Sequence, residues 1–135
     1  QRRNFVRGRL GLIIDGTGKD FNKIAYQARE LEGMGYDTHM IFVNTSLDVA
    51  LQRNKERDRS IPEPEAVKMW NAVQRNIGKF SNFFKGNFII VDNNNKDDDM
   101  MQEVFKRVRA LATRKVKNQR GLQWIRGELE KKRRK

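Results

Sequence analysis

The stretch Leu10-Gly-Leu-Ile-Ile-Asp15-Gly-Thr17-Gly-Lys19-Asp20 decides the fold, together with a second apolar run at residues 40–43. Residues 10–14 predict a strand buried on both faces, because such strands are continuously apolar. Asp20 then predicts the N-cap of a helix whose apolar positions recur at helical spacing, and Gly33 predicts the end of that helix. Residues 40–43 predict the second strand.

The rest of the chain alternates further helices with one more strand. Ser46 predicts the cap of a helix over about residues 46–58, and a helix is expected to restart near Pro64 after a proline-bearing break. The remaining predictions are a strand at residues 88–91 and helices at residues 103–114 and 119–132. Strands separated by helices pair in parallel. The sequence therefore predicts an α/β fold, with a body at residues 1–104 and basic C-terminal helices at residues 105–135.

Charge is concentrated in the C-terminal segment. The chain has 135 residues, which suits one domain, and a formal net charge of +12. Residues 105–135 hold thirteen Lys or Arg and two Glu, a net charge of +11, whereas residues 1–104 are nearly neutral. Such a segment attracts polyanions or acidic partners. The absence of cysteine excludes disulfides and thiolate metal sites and fits an intracellular protein, and no apolar run is long enough for a transmembrane helix.

Asp15, Thr17 and Lys19 form the sharpest motif, and it resembles a Walker A loop only superficially. Alignment on Lys19 puts Ile13 where the first glycine belongs and Asp20 where the magnesium-binding Ser or Thr belongs. We therefore reject a Walker A assignment. Two interpretations stay open: the side chains hold a polar substrate at a strand end, or the segment is a tight turn capped by Asp20.

Arginines and aspartates supply two further candidate groups. Arg53, Arg57 and Arg59 surround a proline-bearing break, where arginines can fold over the phosphates of a nucleotide. The alternative is a solvated helix face on which Arg53 and Arg57 lie side by side. The aspartates at 97–99 lack EF-hand spacing, and His39 stands alone, so no metal site is predicted.

The basic segment has two interpretations as well. Its cations are candidates for nucleic-acid contact, with Trp124 between them as a base-stacking residue. The alternative, which we favour for Trp124, is an amphipathic helix that docks through Leu122, Ile125 and Leu129 with its lysines outward. The candidate cations are Arg114, Lys115, Lys117, Arg120 and Arg126.

Residues 11–95 resemble the C-terminal half of P-loop kinases of the zeta-toxin and polynucleotide-kinase type, and predicted kinases of large bacteriophages are especially similar. The shared pattern is a strand, then Asp15-Gly-Thr17-Gly-Lys19, a helix, Gly35-Tyr36-Asp37-Thr38, a strand, and a helix with lid arginines. The resemblance implies a parallel sheet of P-loop kinase type, of which this chain supplies the equivalents of strands 3, 4 and 5.

The resemblance also implies roles for single residues. It makes Asp15, Thr17 and Lys19 the residues that bind the phosphate-accepting substrate. It makes Arg53, with Arg57 or Arg59, the lid that contacts ATP phosphates as the catalytic group. It places the turn Asp92, Asn93 and Asn94 near the nucleotide base. ATP and Mg²⁺ are the cofactors that it implies.

The chain departs from the family where ATP is held, since the Walker A loop and the general base precede the first strand and only nine residues precede Leu10 here. The family's sheet order of 2-3-1-4-5 leaves an empty slot beside residues 10–14. We expect either that a missing N-terminal half or a partner chain fills this slot, or that the three strands close up and pair directly.

Two functions are therefore expected from the sequence. The first is the C-terminal portion of an ATP-dependent kinase that is inactive alone and acts on a hydroxyl of a nucleotide, sugar nucleotide or nucleic-acid end. The alternative is a non-catalytic kinase-like module that serves a structural or nucleic-acid-binding role, for instance in a phage assembly. We expect no membrane partner, possible nucleic-acid contact through residues 105–135, and a cytoplasmic location, which for a phage protein is the host cytoplasm or the virion.

Overall fold

A computed structural model describes residues 2–95 and 98–135, and it has a mixed α/β fold that is mostly helical with a small parallel sheet. The turn Lys85–Asn87 is a single 3₁₀ segment. In chain order the elements are α1 (Arg2–Arg7), α2 (Phe21–Gly33), β1 (Met40–Asn44), α3 (Leu47–Lys55), α4 (Glu63–Phe84), β2 (Phe88–Asp92), α5 (Asp98–Ala112) and α6 (Gln119–Arg133).

Strands β1 and β2 pair in parallel, as the alternation of helices and strands predicted. The register pairs Met40 with Phe88 and Asn44 with Asp92, so both strands end at the same edge. Directly paired residues of a parallel sheet share a face. Phe42 therefore faces one layer of helices, whereas Ile89 and Val91 face the other.

The core on the first face is built from aromatic rings. Phe80 of α4 is fully buried, and its ring centroid lies 5.4 Å from Phe21, 6.2 Å from Phe42 and 6.5 Å from Phe84. Tilted rings at these separations add attraction to the area that they bury. On the opposite face, Ile89 and Val91 pack with Leu111 of α5. Helix α4 thus fixes the sheet against α2.

Local capping explains where the first helices begin. The Asp20 carboxylate accepts a hydrogen bond of 3.0 Å from the Lys23 amide, and the Ser46 hydroxyl accepts one of 3.4 Å from the Val49 amide. Pro64 lies in the first turn of α4, where a missing amide hydrogen costs nothing. The predicted helix starts at Asp20, Ser46 and Pro64 are confirmed.

The prediction of a strand at residues 10–14 is wrong. That segment forms neither helix nor strand, and Leu10, Ile13 and Ile14 are 52%, 101% and 50% exposed. An apolar run becomes a strand only where a neighbouring backbone takes its hydrogen bonds, and the described residues offer β1 only β2 as a neighbour. The three strands therefore do not close up. Helix α1 was not predicted.

Candidate functional site

The carboxyl ends of β1 and β2 form a hydrogen-bonded polar edge. The amide of Asn93 donates to the carbonyl of Asn44 over 2.8 Å. The amide of Ser46 donates to the Asn94 side-chain oxygen over 2.7 Å, and the Asn94 amide donates to Asp92 over 2.9 Å. The predicted turn of Asp92, Asn93 and Asn94 is thus tied to the first turn of α3. Ligands of open α/β sheets bind outside this edge.

Arg53 reaches the same edge. Its Nη2 atom donates to the carbonyl oxygen of Asn94 over 3.4 Å, and the side chain is partly buried. The structure thus brings together one predicted lid arginine and the turn predicted to lie near the nucleotide base. The guanidinium keeps other donors that this single bond does not use.

Arg57 and Arg59 lie apart from Arg53, beyond the end of α3. Because α3 ends at Lys55, the prediction that Arg53 and Arg57 share one helix face is wrong. Both side chains are exposed. The segment that carries them is clamped by Asn54, whose side chain donates to the Ile61 carbonyl over 2.8 Å and accepts from the Ile61 amide over 3.1 Å. No sequence pattern had indicated this clamp.

The loop with Asp15, Thr17 and Lys19 is held by its backbone, and those three side chains are exposed. The buried Asn76 of α4 donates through Nδ2 to the carbonyls of Gly18 and Lys19, each over 2.9 Å. Gly18 has a φ of +72° and faces the Phe42 ring, which favours glycine there. The end of the loop at Gly18 and Lys19 is therefore anchored to α4, and the side chains of Asp15, Thr17 and Lys19 are exposed to solvent.

An open depression of about 430 Å³ lies where this loop meets α4. Lys19 and Lys79 both line it, together with Asn22 and Asn76. The Asp20 carboxylate lines it too, so the depression holds two cations and one anion and is suited to a polar ligand with mixed charge rather than to a simple anion. Across the described part of the chain, no hydrogen bond or ion pair joins Asp15, Thr17 or Lys19 to the edge at Arg53.

The basic segment docks on the turn after α2. The Asn118 side chain donates to the carbonyls of Glu32 (2.8 Å) and Tyr36 (3.0 Å), and it also caps α6. The Lys117 amide donates to the Asp37 carboxylate over 2.7 Å, and Arg120 Nη1 donates to the Gly33 carbonyl over 2.7 Å. The N-terminal end of α6 is therefore fixed to the body.

Two glycines make that docking possible. Gly35 has a φ of +105°, and a Cβ atom on it would lie 2.8 Å from the Gly121 amide nitrogen. A Cβ on Gly121 would collide with the Gly35 carbonyl oxygen and lie 3.1 Å from Val116. The docking predicted for this helix is confirmed at half-buried Leu122 and Ile125, whereas the prediction is wrong for Leu129, which is 52% exposed.

Comparison with family models, curated proteins and solved structures found no match for this chain. The kinase resemblance therefore rests on the residues themselves.

The described residues contain few other candidates for a metal site or a catalytic group. No group of three or more His, Cys, Asp or Glu side chains among them could hold a metal ion. Partial burial lowers the pKa of His39, the nearby Arg114 lowers it further, and Asp37 opposes the shift. No helix in residues 2–95 and 98–135 combines the length and apolarity of a membrane span.

Replacement of Asn76 by Ala should release the loop at Gly18 and Lys19. We expect the free energy of unfolding to fall by about 1–3 kcal/mol, because two carbonyls lose their buried donor. Chemical denaturation measures this. Asn71→Ala is the matched control on the exposed side of α4 and should change stability by less than about 0.5 kcal/mol. Equal stability of both variants would contradict the anchoring role.

Gly121→Ala and Gly127→Ala should have opposite effects although both lie in α6. Ala at 127 meets open space and gains about 0.5–1 kcal/mol of helix propensity. Ala at 121 collides with the Gly35 backbone, so we expect a loss of about 1–3 kcal/mol. Thermal and chemical unfolding compare the two. Stabilisation by both substitutions would mean that α6 does not dock at Gly35.

Proposed function

We propose that this chain is the C-terminal portion of an ATP-dependent phosphotransferase that acts on a hydroxyl of a nucleotide, sugar nucleotide or nucleic-acid end. The observation that carries the proposal is the exposed apolar segment at residues 10–14, which runs directly into Asp15 and Thr17. Exposed contiguous apolar groups usually mark an interaction surface. A strand supplied by a missing N-terminal half or a partner chain would cover this segment.

The position of the segment supports the proposal. The Leu10 carbonyl accepts a hydrogen bond of 3.0 Å from the Tyr36 hydroxyl, four residues before β1, and Gly18 lies against the Phe42 ring in β1. The segment is thus held near the start of β1 at one end and against β1 at the other. Ile41 and Val43 of β1 are 40% and 59% exposed, so apolar surface is open on the sheet as well. Both surfaces suit an added parallel strand with a covering helix.

The polar groups suit the two sides of a phosphotransfer cleft. On its anchored loop, Lys19 would contact an anionic acceptor, while Asp15 and Thr17 would accept or donate hydrogen bonds to its hydroxyls. Arg53 at the strand edge would contact the phosphates of the donor, with Arg57 or Arg59 completing the lid. Fixed cations at these positions would stabilise charge on a transferring phosphoryl group without further reorganisation.

The residues of this chain do not fit MgATP by themselves. The Ser46 amide at the start of α3 is already bonded to Asn94, and the described carboxylates form no metal cluster. The phosphate-cradling amides and the metal ligands would come from the missing part. We therefore expect this chain alone to have no kinase activity.

Replacement of Arg53 and Arg57 by Ala should weaken binding of an ATP analogue when the chain is produced together with the residues encoded before Gln1. Loss of charged hydrogen bonds to phosphate should cost roughly tenfold or more in Kd. Calorimetry measures the binding, with Lys68→Ala plus Arg75→Ala as a control that removes two exposed cations of α4.

Two results would contradict the proposal. Unaltered binding in the Arg53 and Arg57 variant would refute the lid assignment. Absence of a G-x-x-x-x-G-K-[ST] sequence within about a hundred residues before Gln1, or on a partner chain, would refute the phosphotransferase as a whole.

A further inference from the structure

We propose that the docked basic segment, defined as residues 114–133, is a nucleic-acid interface in which Lys115, Lys117 and Arg126 contact backbone phosphates. This inference does not depend on the proposed phosphotransferase, so either can fail alone. It rests on three observations. Two of the cations are hydrogen-bonded to the body, three others are exposed and form no ion pair with another described residue, and part of the apolar side of α6 is buried against the body.

Two of the five candidate cations each donate a hydrogen bond to the body. Arg120 Nη1 is bonded to the Gly33 carbonyl, and Arg114 Nη1 lies 3.5 Å from the Asn87 side-chain oxygen. Both guanidinium groups therefore help to hold the segment in place, while each keeps its charge and its other donors. Within the described residues, the side chains of the other three candidates make no such bond to the body. The sequence alone did not reveal this difference.

Lys115, Lys117 and Arg126 are exposed and carry unneutralised charge. In the described part of the chain, ion pairs join only Lys55 to Glu63 and Lys131 to Glu128. The body anchors the segment at Lys117 and Asn118, since the Lys117 amide donates to the Asp37 carboxylate and the Asn118 side chain donates to the Glu32 carbonyl. Exposed, unneutralised cations suit contact with backbone phosphates, and the anchoring at Lys117 and Asn118 lowers the entropic cost of ordering this part of the segment on binding.

The buried side of α6 argues for nucleic acid over a lipid surface. An interfacial helix inserts its apolar side into the membrane. In α6 part of the apolar side is already covered by the rest of the protein, because Gly121 is buried and Leu122 and Ile125 are half-buried. Trp124 is 37% exposed, but the Arg9 guanidinium lies 5.8 Å from its ring centroid. The remaining outward charge suits phosphate contacts, not insertion.

The test compares two triple variants with the same net charge of +9. The first replaces Lys115, Lys117 and Arg126 by Gln, and the control replaces Lys23, Lys68 and Arg75, which are exposed on α2 and α4. Fluorescence anisotropy measures binding to labelled single-stranded DNA, RNA and duplex DNA of equal length at several salt concentrations. Vesicles containing phosphatidylserine serve as the lipid arm.

We expect at least one nucleic acid to bind the unmodified chain, with affinity that falls steeply with salt. The interface variant should bind roughly tenfold or more weakly, and its slope of log K against log salt should shrink by about two for single strands and about three for duplex DNA, because three phosphates are no longer neutralised. The control should keep both values. The proposal is overturned by no binding at about 50 mM salt, by equal losses in both variants, or by binding to vesicles alone.

Discussion

The parallel register of β1 and β2 is the constraint on which the rest of the structure depends. It brings Asn44 level with Asp92, so the turns after both strands meet at one edge. The Phe80 ring holds this pair from one face, since it contacts Phe42 of β1 while α4 carries the chain from one strand to the next. Helix α4 also presents Asn76 to the loop at Gly18, so one helix supports both the sheet and that loop.

The turn between α2 and β1, at residues 33–37, determines where the basic C-terminal segment docks. The turn at residues 33–37 ends α2, leads into β1 and receives α6 through Gly35, Asp37 and the carbonyl of Gly33. A segment with a net charge of +11 over residues 105–135 would repel itself if packed. Docking at this turn relies on backbone groups, the Asn118 amide and the Asp37 carboxylate, with one charged donor from Arg120. It lowers that cost, because the charges of Lys115 and Arg126 stay in solvent.

Local signals predicted most helices and both strands, whereas long-range partners were not predictable. Asp20 and Ser46 mark helix starts because a cap acts within three residues of itself. Residues 10–14 have the apolar character of a strand, but a strand also needs a neighbour, and no sequence pattern supplies one. The anchoring roles of Asn76 and Asn118 were not predicted, since each side chain bonds to carbonyls more than fifty residues away in sequence. The signal for Asn118 was present in its position just before α6.

The central claim is that β1 pairs with β2 alone among the described residues and that residues 10–14 lie outside the sheet. Amide hydrogen exchange, followed by NMR on the chain as it is, tests this directly. Alternate amides of β1 should exchange at least about a hundredfold more slowly than those of Ile13 and Ile14, because a strand with one neighbour protects every second amide. Protection of Ile13 and Ile14 equal to that of β1 would contradict the claim, since it would mean that the segment already pairs within a sheet.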